Sequence, residues 1–329
     1  MEIKIQEQYV TGGRARPGQN ASGHRGSSIL EMSEKAPVPA CLACSMRMML
    51  RFGEKVVNHW SCPNCGLECI FPQPDDQTLA GIYNSSYFVH YQSELDPEIV
   101  RAMKRATYKN QLRRLELGAR AAGQKRLLDC GAATGYLAEL AREFGWDAFA
   151  IEYSEFGARA CENLLGPGRV YRGQAEEAAF AANPEGQFSV ITMFDFIEHV
   201  REPRAVLEWA RQRLDSQGVL LLTTPCAGSL SWRLMGRQWF HYTSREHLWF
   251  FSAESLRIVL EESGFRSVKV RPLAKAVTVG YALVHYARSN SYSRVFTPLA
   301  RALDAILPAA VKRRRLWFYL GEIAVLARA

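Results

Sequence analysis

No stretch of this 329-residue chain approaches the ~20 uncharged apolar residues that a membrane span needs. Met1 to Asn20 is polar and lacks the apolar run of a secretory signal, so the chain is expected to carry no signal peptide and to act in the cytoplasm. Cysteine is scarce as well: eight residues are too few to staple a fold of this length, which sets a disulfide-rich secreted scaffold aside. Acidic residues are nearly missing from the C-terminal end, where residues 265–329 hold twelve Lys and Arg against two Asp and Glu. The remaining composition is ordinary, 48% hydrophobic and 22% charged, which excludes wholesale disorder and leaves room for one large domain or two smaller ones.

The net charge of +8 is unevenly spread, because residues 126–264 hold thirteen basic against nineteen acidic side chains. At the basic end, Lys312-Arg313-Arg314-Arg315 abuts the apolar stretch Leu316 to Leu320. Such a basic end suits an anionic membrane surface or lipid-linked acceptor, a phosphorylated substrate or, less well, nucleic acid, and a plain solvated face is the equal alternative.

Along the chain, residues 1–36 are rich in Gly, Ser, Arg and Gln without periodicity and are expected to be a disordered leader. A compact cysteine-bearing module follows at 37–72. Residues 73–125 hold an aromatic connector with Tyr83 and Tyr87, then a basic helical pattern from about Pro97 to Ala122. After Gly123 short apolar runs alternate with helical segments, the signature of an α/β sheet. Seven strands are expected, at 126–130, 147–152, 169–171, 188–193, 218–224, 267–272 and 321–328. The core is placed at 126–273, and a basic amphipathic insertion with the final strand at 274–329. Between the fifth strand and the next helix, Trp232, Trp239, Phe240 and Tyr242 stand among Gly, Ser and Arg. They read either as an aromatic lid at 226–247 or as core packing under a loop.

Cys41-x2-Cys44 and, seventeen residues on, Cys62-x2-Cys65 have the spacing of a zinc ribbon. Each pair lets two thiolates converge on one ion, and four complete the tetrahedral shell that Zn(II) accepts. With no open coordination position or general base nearby, the expected role of zinc is structural.

The most informative stretch is Leu127-Leu128-Asp129-Cys130-Gly131-Ala132-Ala133-Thr134-Gly135-Tyr136. A buried strand ends at Asp129, small residues make a tight turn, and a helix begins near Tyr136, as in doubly wound nucleotide sites. Glu152 ends the next strand, where a carboxylate can accept hydrogen bonds from ribose hydroxyls.

These residues resemble the first motif, D/E-x-G-x-G-x-G, of class I S-adenosylmethionine-dependent methyltransferases, with Ala133 in place of the middle glycine. They do not match the G-x-G-x-x-G of dinucleotide-binding oxidoreductases. The stretch Met193 to Pro203 with its Glu198-His199 pair, and Glu246 to Ser252 followed by Gly264-Phe265, are similar to the small-molecule branch that includes ubiquinone-biosynthesis O-methyltransferases. The resemblance implies a doubly wound, seven-stranded Rossmann-like sheet with the small zinc-ribbon-like module at its N-terminal side. It implies S-adenosylmethionine as cofactor, held by Asp129, Gly131, Ala133, Gly135, Glu152, Tyr153, Gln174, Ala175 and Asp195. Gln174 stands where a carboxylate is typical.

Removing a proton from an acceptor calls for a base beside the transferred methyl. The candidates are His199, Glu198 and His247, at the strand ends where ligand crevices open. A structural histidine capping the following helix is the alternative for His199. Glu198 can equally fix neighbouring polar groups, and His241 is expected on the surface or lid. The resemblance therefore implies methyl transfer to a saccharide, lipid-linked or natural-product acceptor. A ribosomal-RNA base methyltransferase with a zinc ribbon, and an inactive zinc-ribbon adaptor, are the alternatives.

Overall fold

The computed structural model describes residues 37–53, 57–82, 97–118, 125–183, 187–243, 246–289 and 296–329. The expected leader at 1–36 and the aromatic pair Tyr83 and Tyr87 lie outside them. Residues 39–329 form one compact unit.

Three strands, β4 (Arg126–Cys130), β5 (Asp147–Glu152) and β7 (Phe188–Phe194), are almost wholly buried. Their near-continuous apolar runs are what a strand covered on both faces requires. With β6 (Val170–Arg172), β8 (Leu214–Pro225), β10 (Arg266–Thr278) and β11 (Arg315–Arg328) they make a seven-stranded sheet in the order β10-β11-β8-β7-β4-β5-β6. The pairings from β8 to β6 are parallel; β11 runs antiparallel to both β8 and β10. From β4 the chain steps outward to β5 and β6, then returns to β7 on the other side. That reversal opens a crevice at the carboxyl ends of β4 and β7.

Helices α1 (Asp76–Ile82) and α2 (Pro97–Gly118) precede the sheet. Between its strands come α3 (Tyr136–Glu143), α4 (Glu155–Leu165), α5 (Pro203–Arg213), α6 (Leu230–Met235) and α7 (Ala253–Glu262). Their starts are locally encoded. Ser154 accepts a hydrogen bond from the Gly157 amide, Pro203 opens α5, and Ser252 and Ser255 form a reciprocal cap. On α3, Leu137, Ala138, Leu140 and Ala141 face a core shared with Leu127, Val190 and Leu221.

The last two strands are longer than the sequence pattern indicates. Glu322 of β11 pairs with Pro225, the final residue of β8, so residues 315–321 continue beyond the carboxyl edge, paired with β10 alone. The expected insertion at 274–320 is therefore shorter. Leu273–Thr278 and Arg315–Leu320 are strand, and among the described residues α8 (Val279–Ser289), α9 (Phe296–Ile306) and α10 (Ala309–Lys312) lie between.

The cysteine module contributes β1 (Met49–Gly53), β2 (Asn58–Ser61) and β3 (Glu68–Phe71) to a second, antiparallel sheet, completed by β9 (Trp249–Phe250) from the core region. Aromatic packing joins the two. Trp239 is fully buried beside Phe52, Ile70, Tyr242 and Phe250. Tyr242 donates to the buried Glu68 carboxylate, which also pairs with Arg51. Of the two readings of 226–247, packing is the one realised for Trp239 and Tyr242, because the module's small sheet gives their rings a surface to cover. At the far side Ser252 Oγ donates to the Cys65 carbonyl at 2.5 Å.

Candidate functional site

A cavity of about 430 Å3 opens at the carboxyl ends of β4, β7 and β8, within the ~300–1,000 Å3 of small-ligand sites. One of its walls is the turn after β4. Gly131, Ala133 and Gly135 all adopt left-handed backbone, with φ of 74°, 51° and 82°, a region that penalises side chains. A Cβ on Gly131 would stand 2.6 Å from the Phe196 ring. The turn is stitched to β5: the amides of Gly131 and Ala132 donate to the Ile151 carbonyl at 2.9 and 3.0 Å.

Glu152 completes this stitching. One carboxylate oxygen accepts from the Ala133 amide at 2.8 Å, the other from the Ser154 amide at 2.9 Å. Gly157 permits the approach, since a Cβ there would meet the Ala133 carbonyl at 2.5 Å and the Glu152 side chain at 2.8 Å. The sequence reading missed Gly157; its position just inside a helix, where glycine is unfavourable, was the available signal.

Asp129 faces the cavity but is only 3% exposed. Thr192 Oγ1 donates to it at 2.8 Å. Burial, offset in part by that hydrogen bond, pushes its carboxyl up to about 7. A buried carboxylate with one hydrogen-bond donor is a costly group to keep without a further partner.

Tyr153 and Gln174 are exposed, Ala175 is buried beneath a short turn, and neither these three nor Glu152 lines the cavity. The structure thus brings Asp129, Gly131, Ala133 and Asp195 to the cavity wall. Gly135 sits behind it as the residue before α3.

The opposite wall is charged. Asp195, with φ 51°, accepts from Thr223 Oγ1 at 3.1 Å and pairs with Lys275 Nζ at 2.8 Å. Lys275 reaches Glu322 at 2.6 Å as well. Burial would raise Asp195, but Lys275 holds it below the ordinary carboxylate range. Glu322, enclosed more deeply, rises to about 7 despite the ammonium. Lys275, Glu322 and the nearby Lys104 and Tyr108 were not found by sequence reasoning. They stand on β10, β11 and α2 with no local motif; Glu322 pairs with the last residue of β8, and the hairpin's extension past it brings Lys275 here.

The three catalytic candidates converge. Glu198, His199 and His247 all line the cavity, and one donor atom from each lies within 4.8 Å of the other two. The imidazole rings of His199 and His247 are 4.7 Å apart. Burial lowers His199 to about 3 and His247 to about 4, so both are neutral at physiological pH. His199 Nδ1 lies 3.1 Å from the Glu246 carbonyl. Glu198 is wholly buried and accepts from Thr224 Oγ1 at 3.0 Å. His241, expected on the surface or lid, lines the cavity 3.7 Å from Glu322.

Away from the cavity, the Cys41–Cys65, Cys44–Cys62 and Cys44–Cys65 sulfurs are 3.5, 3.5 and 3.7 Å apart. Tetrahedral Zn–S bonds of about 2.3 Å place sulfurs about 3.8 Å apart, so the four side chains fit a zinc ion. Cys69 is buried beside Met48, outside the cluster.

A family model described as a methyltransferase domain matches residues 101–270. A ubiquinone biosynthesis O-methyltransferase of Psychrobacter arcticus is 31% identical over 106 residues, 30% of this chain and 40% of the relative, so the chain matches less than half the length of that curated protein. Among solved structures, a SAM-dependent methyltransferase from Archaeoglobus fulgidus is 19% identical, with a TM-score of 0.48 over 75% of this chain and 100% of the other. The magnesium protoporphyrin IX methyltransferase from Synechocystis PCC 6803 is 13% identical, with a TM-score of 0.48 over 77% and 99%.

Proposed function

The chain belongs to the methyltransferase-domain family, and we propose that it transfers a methyl group from S-adenosylmethionine to a small-molecule acceptor, a saccharide, lipid-linked or natural-product compound. The observation that carries this reading is the asymmetry of the cavity. A left-handed turn of small residues and the under-partnered Asp129 stand at one wall, and neutral histidines with carboxylates stand at the other.

The residues fit the cofactor. Gly131, Ala133 and Asp129 line the cavity, and among the described residues Thr192 is the hydrogen-bond donor to Asp129, which leaves its carboxylate able to take an amino group as a further partner. When bound, the cofactor provides a methyl on a positively charged sulfur, already a good leaving group. The chain's own task is then alignment, exclusion of water and handling of the acceptor's proton. His199 and His247 are the groups placed to receive that proton, since neutral imidazole is the basic form.

The proposal extends to zinc as the structural ion of the four cysteines, and to an anionic membrane surface or lipid-linked acceptor at the hairpin tip. There Arg313, Arg314 and Arg315 adjoin the exposed Leu316, Trp317 and Tyr319. No helix among the described residues is long and apolar enough to cross a membrane, so such an association would be peripheral.

Calorimetric titration of the zinc-loaded protein with S-adenosylmethionine and S-adenosylhomocysteine tests the reading, with RNA as a separate titrant at two salt concentrations. Saturable binding of both nucleosides at one site per chain, without salt-sensitive RNA binding, is expected. RNA binding that weakens steeply with salt would shift the acceptor to nucleic acid. Absence of nucleoside binding would overturn the enzyme reading.

A further inference from the structure

His199 and His247 each lie five residues ahead of a side chain that grips the cysteine module. On the path from β7 into α5, His199 is followed by Arg204, whose guanidinium donates to the Leu42 carbonyl at 2.9 Å. Leu42 stands between Cys41 and Cys44. On the path through β9 into α7, His247 is followed by Ser252, whose hydroxyl donates to the Cys65 carbonyl. One grip therefore falls on each cysteine pair. The sulfurs of the two pairs approach one another to 3.5, 3.5 and 3.7 Å. An ion held by all four cysteines ties the pairs together and, through Arg204 and Ser252, ties together the two segments that carry the histidines.

The segment that carries His247 leans on the module along its length. Tyr242 donates to Glu68, the Ile70 amide donates to the Leu248 carbonyl at 3.1 Å, and the two-residue β9 pairs with β3. This segment also supplies the carbonyls that orient both imidazoles. Nδ1 of His199 is 3.1 Å from the Glu246 carbonyl, and Nδ1 of His247 is 3.1 Å from the His241 carbonyl. A carbonyl can only accept, so each neutral ring donates from Nδ1, and that bond fixes its tautomer and orientation. The turn after β4 is held differently, by β5 through the Ile151 carbonyl and the Glu152 carboxylate.

We infer that the metal-loaded cysteine module positions His199 and His247, with Arg204 and Ser252 as the positioning residues that carry its constraint to the cavity. The module's three strands are only four or five residues long, too little to hold this geometry without the ion. Metal loading of the cysteines thus sets the tautomer and mobility of the two imidazoles and leaves the turn after β4 in place. That these imidazoles face the methyl acceptor rests on the methyl-transfer reading; their dependence on the module does not.

The test compares the full-length protein, carrying isotope-labelled histidine, when loaded with zinc and after chelation. Long-range proton–nitrogen NMR should show His199 and His247 locked with the proton on Nδ1 in the zinc-loaded protein, and both averaging between tautomers without zinc. Amide exchange at residues 197–203 and 246–252 should then quicken at least ~tenfold, while residues 129–135 keep their protection and S-adenosylhomocysteine affinity changes less than ~threefold. With zinc retained, Ser252→Gly, which largely preserves the helix cap, should release His247, and Arg204→Gln should release His199. Glu262→Gln, which removes only the ion pair of Arg204, should leave both rings locked. Imidazoles that stay locked after chelation and in both positioning variants would overturn the inference. Loss of protection at 129–135 together with the histidines would overturn it too, since the module would then support the whole fold. The same changes in a protein that binds no S-adenosylhomocysteine even with zinc would remove the methyl-transfer reading and uphold the positioning role.

Discussion

The two walls of the cavity are built by different means. The turn after β4 is mostly backbone: three left-handed residues, amides bonded to β5, and a carboxylate, Glu152, used as a clamp on that turn. The opposite wall consists of side chains brought from β7, β10 and β11, with Lys275 held between Asp195 and Glu322. A backbone wall can recognise the same ligand group across many sequences, because it depends on small residues at fixed spacing. A side-chain wall can be changed one residue at a time, so under the methyl-transfer reading it is the wall at which acceptor choice can vary.

The largest effect expected from breaking this contrast is at Asp129, the more deeply buried of the two carboxyls on the backbone side. An acid whose folded pKa is raised favours the folded state only at low pH. Its penalty is absent below about pH 4, grows with pH and is complete above about pH 7. A shift of this size corresponds to ~4 kcal/mol at most. Asp129→Asn should therefore stabilise the ligand-free protein at pH 8, with a smaller gain at pH 5, while cofactor binding is lost. Urea midpoints at the two pH values together with calorimetry check this. Equal gains at both pH values would mean that Asp129 is not held as a buried carboxylate.

Next is Lys275→Met on the charged wall, which leaves Asp195 and Glu322 facing one another. Since Asp195 is 44% exposed, solvent softens the loss, and about 2 kcal/mol of destabilisation is expected. Cofactor affinity should change less than tenfold. A larger fall in affinity would show that the two walls do not divide their labour in this way.

Comparable in size is Gly157→Ala, where the new methyl meets a backbone carbonyl that cannot move without disturbing the turn. Overpacking of this kind costs about 1–3 kcal/mol, and the backbone wall should lose affinity with it. The smallest effect is at Ala133. Glycine there removes left-handed strain of ~1 kcal/mol but adds freedom to the unfolded chain. Ala133→Gly should shift the melting temperature by no more than a few degrees, with binding retained.

The same contrast governs how much could be read from the sequence. Strands β4, β5 and β7 announce themselves as short apolar runs, and the turn from Asp129 to Gly135 as a local motif, because their constraints act within a few residues. The cysteine pairs are legible for the same reason. Glu198, His199 and His247, each singled out by a short motif, meet at the cavity although 47 residues separate His199 from Glu246. Lys275 and Glu322 were not found. Each looks like an ordinary strand charge until the register of β11 on β8 sets Glu322 opposite Pro225, the last residue of β8, and the β10–β11 pairing carries Lys275 just beyond it. The aromatic stretch at 232–242 was ambiguous because burial of Trp239 depends on a sheet contributed from residues 49–71. Long-range pairing, not local propensity, decides such positions.

The central claim is that the cofactor lies against the turn after β4, with its reactive end toward Asp195 and the histidines. Hydrogen exchange of the zinc-loaded protein with and without S-adenosylhomocysteine measures this directly. Slowed exchange in residues 129–135 and 152–157, with little change across Cys41–Cys65, is the predicted result. Protection confined to the cysteine module or to the hairpin tip, with the turn unchanged, would contradict it.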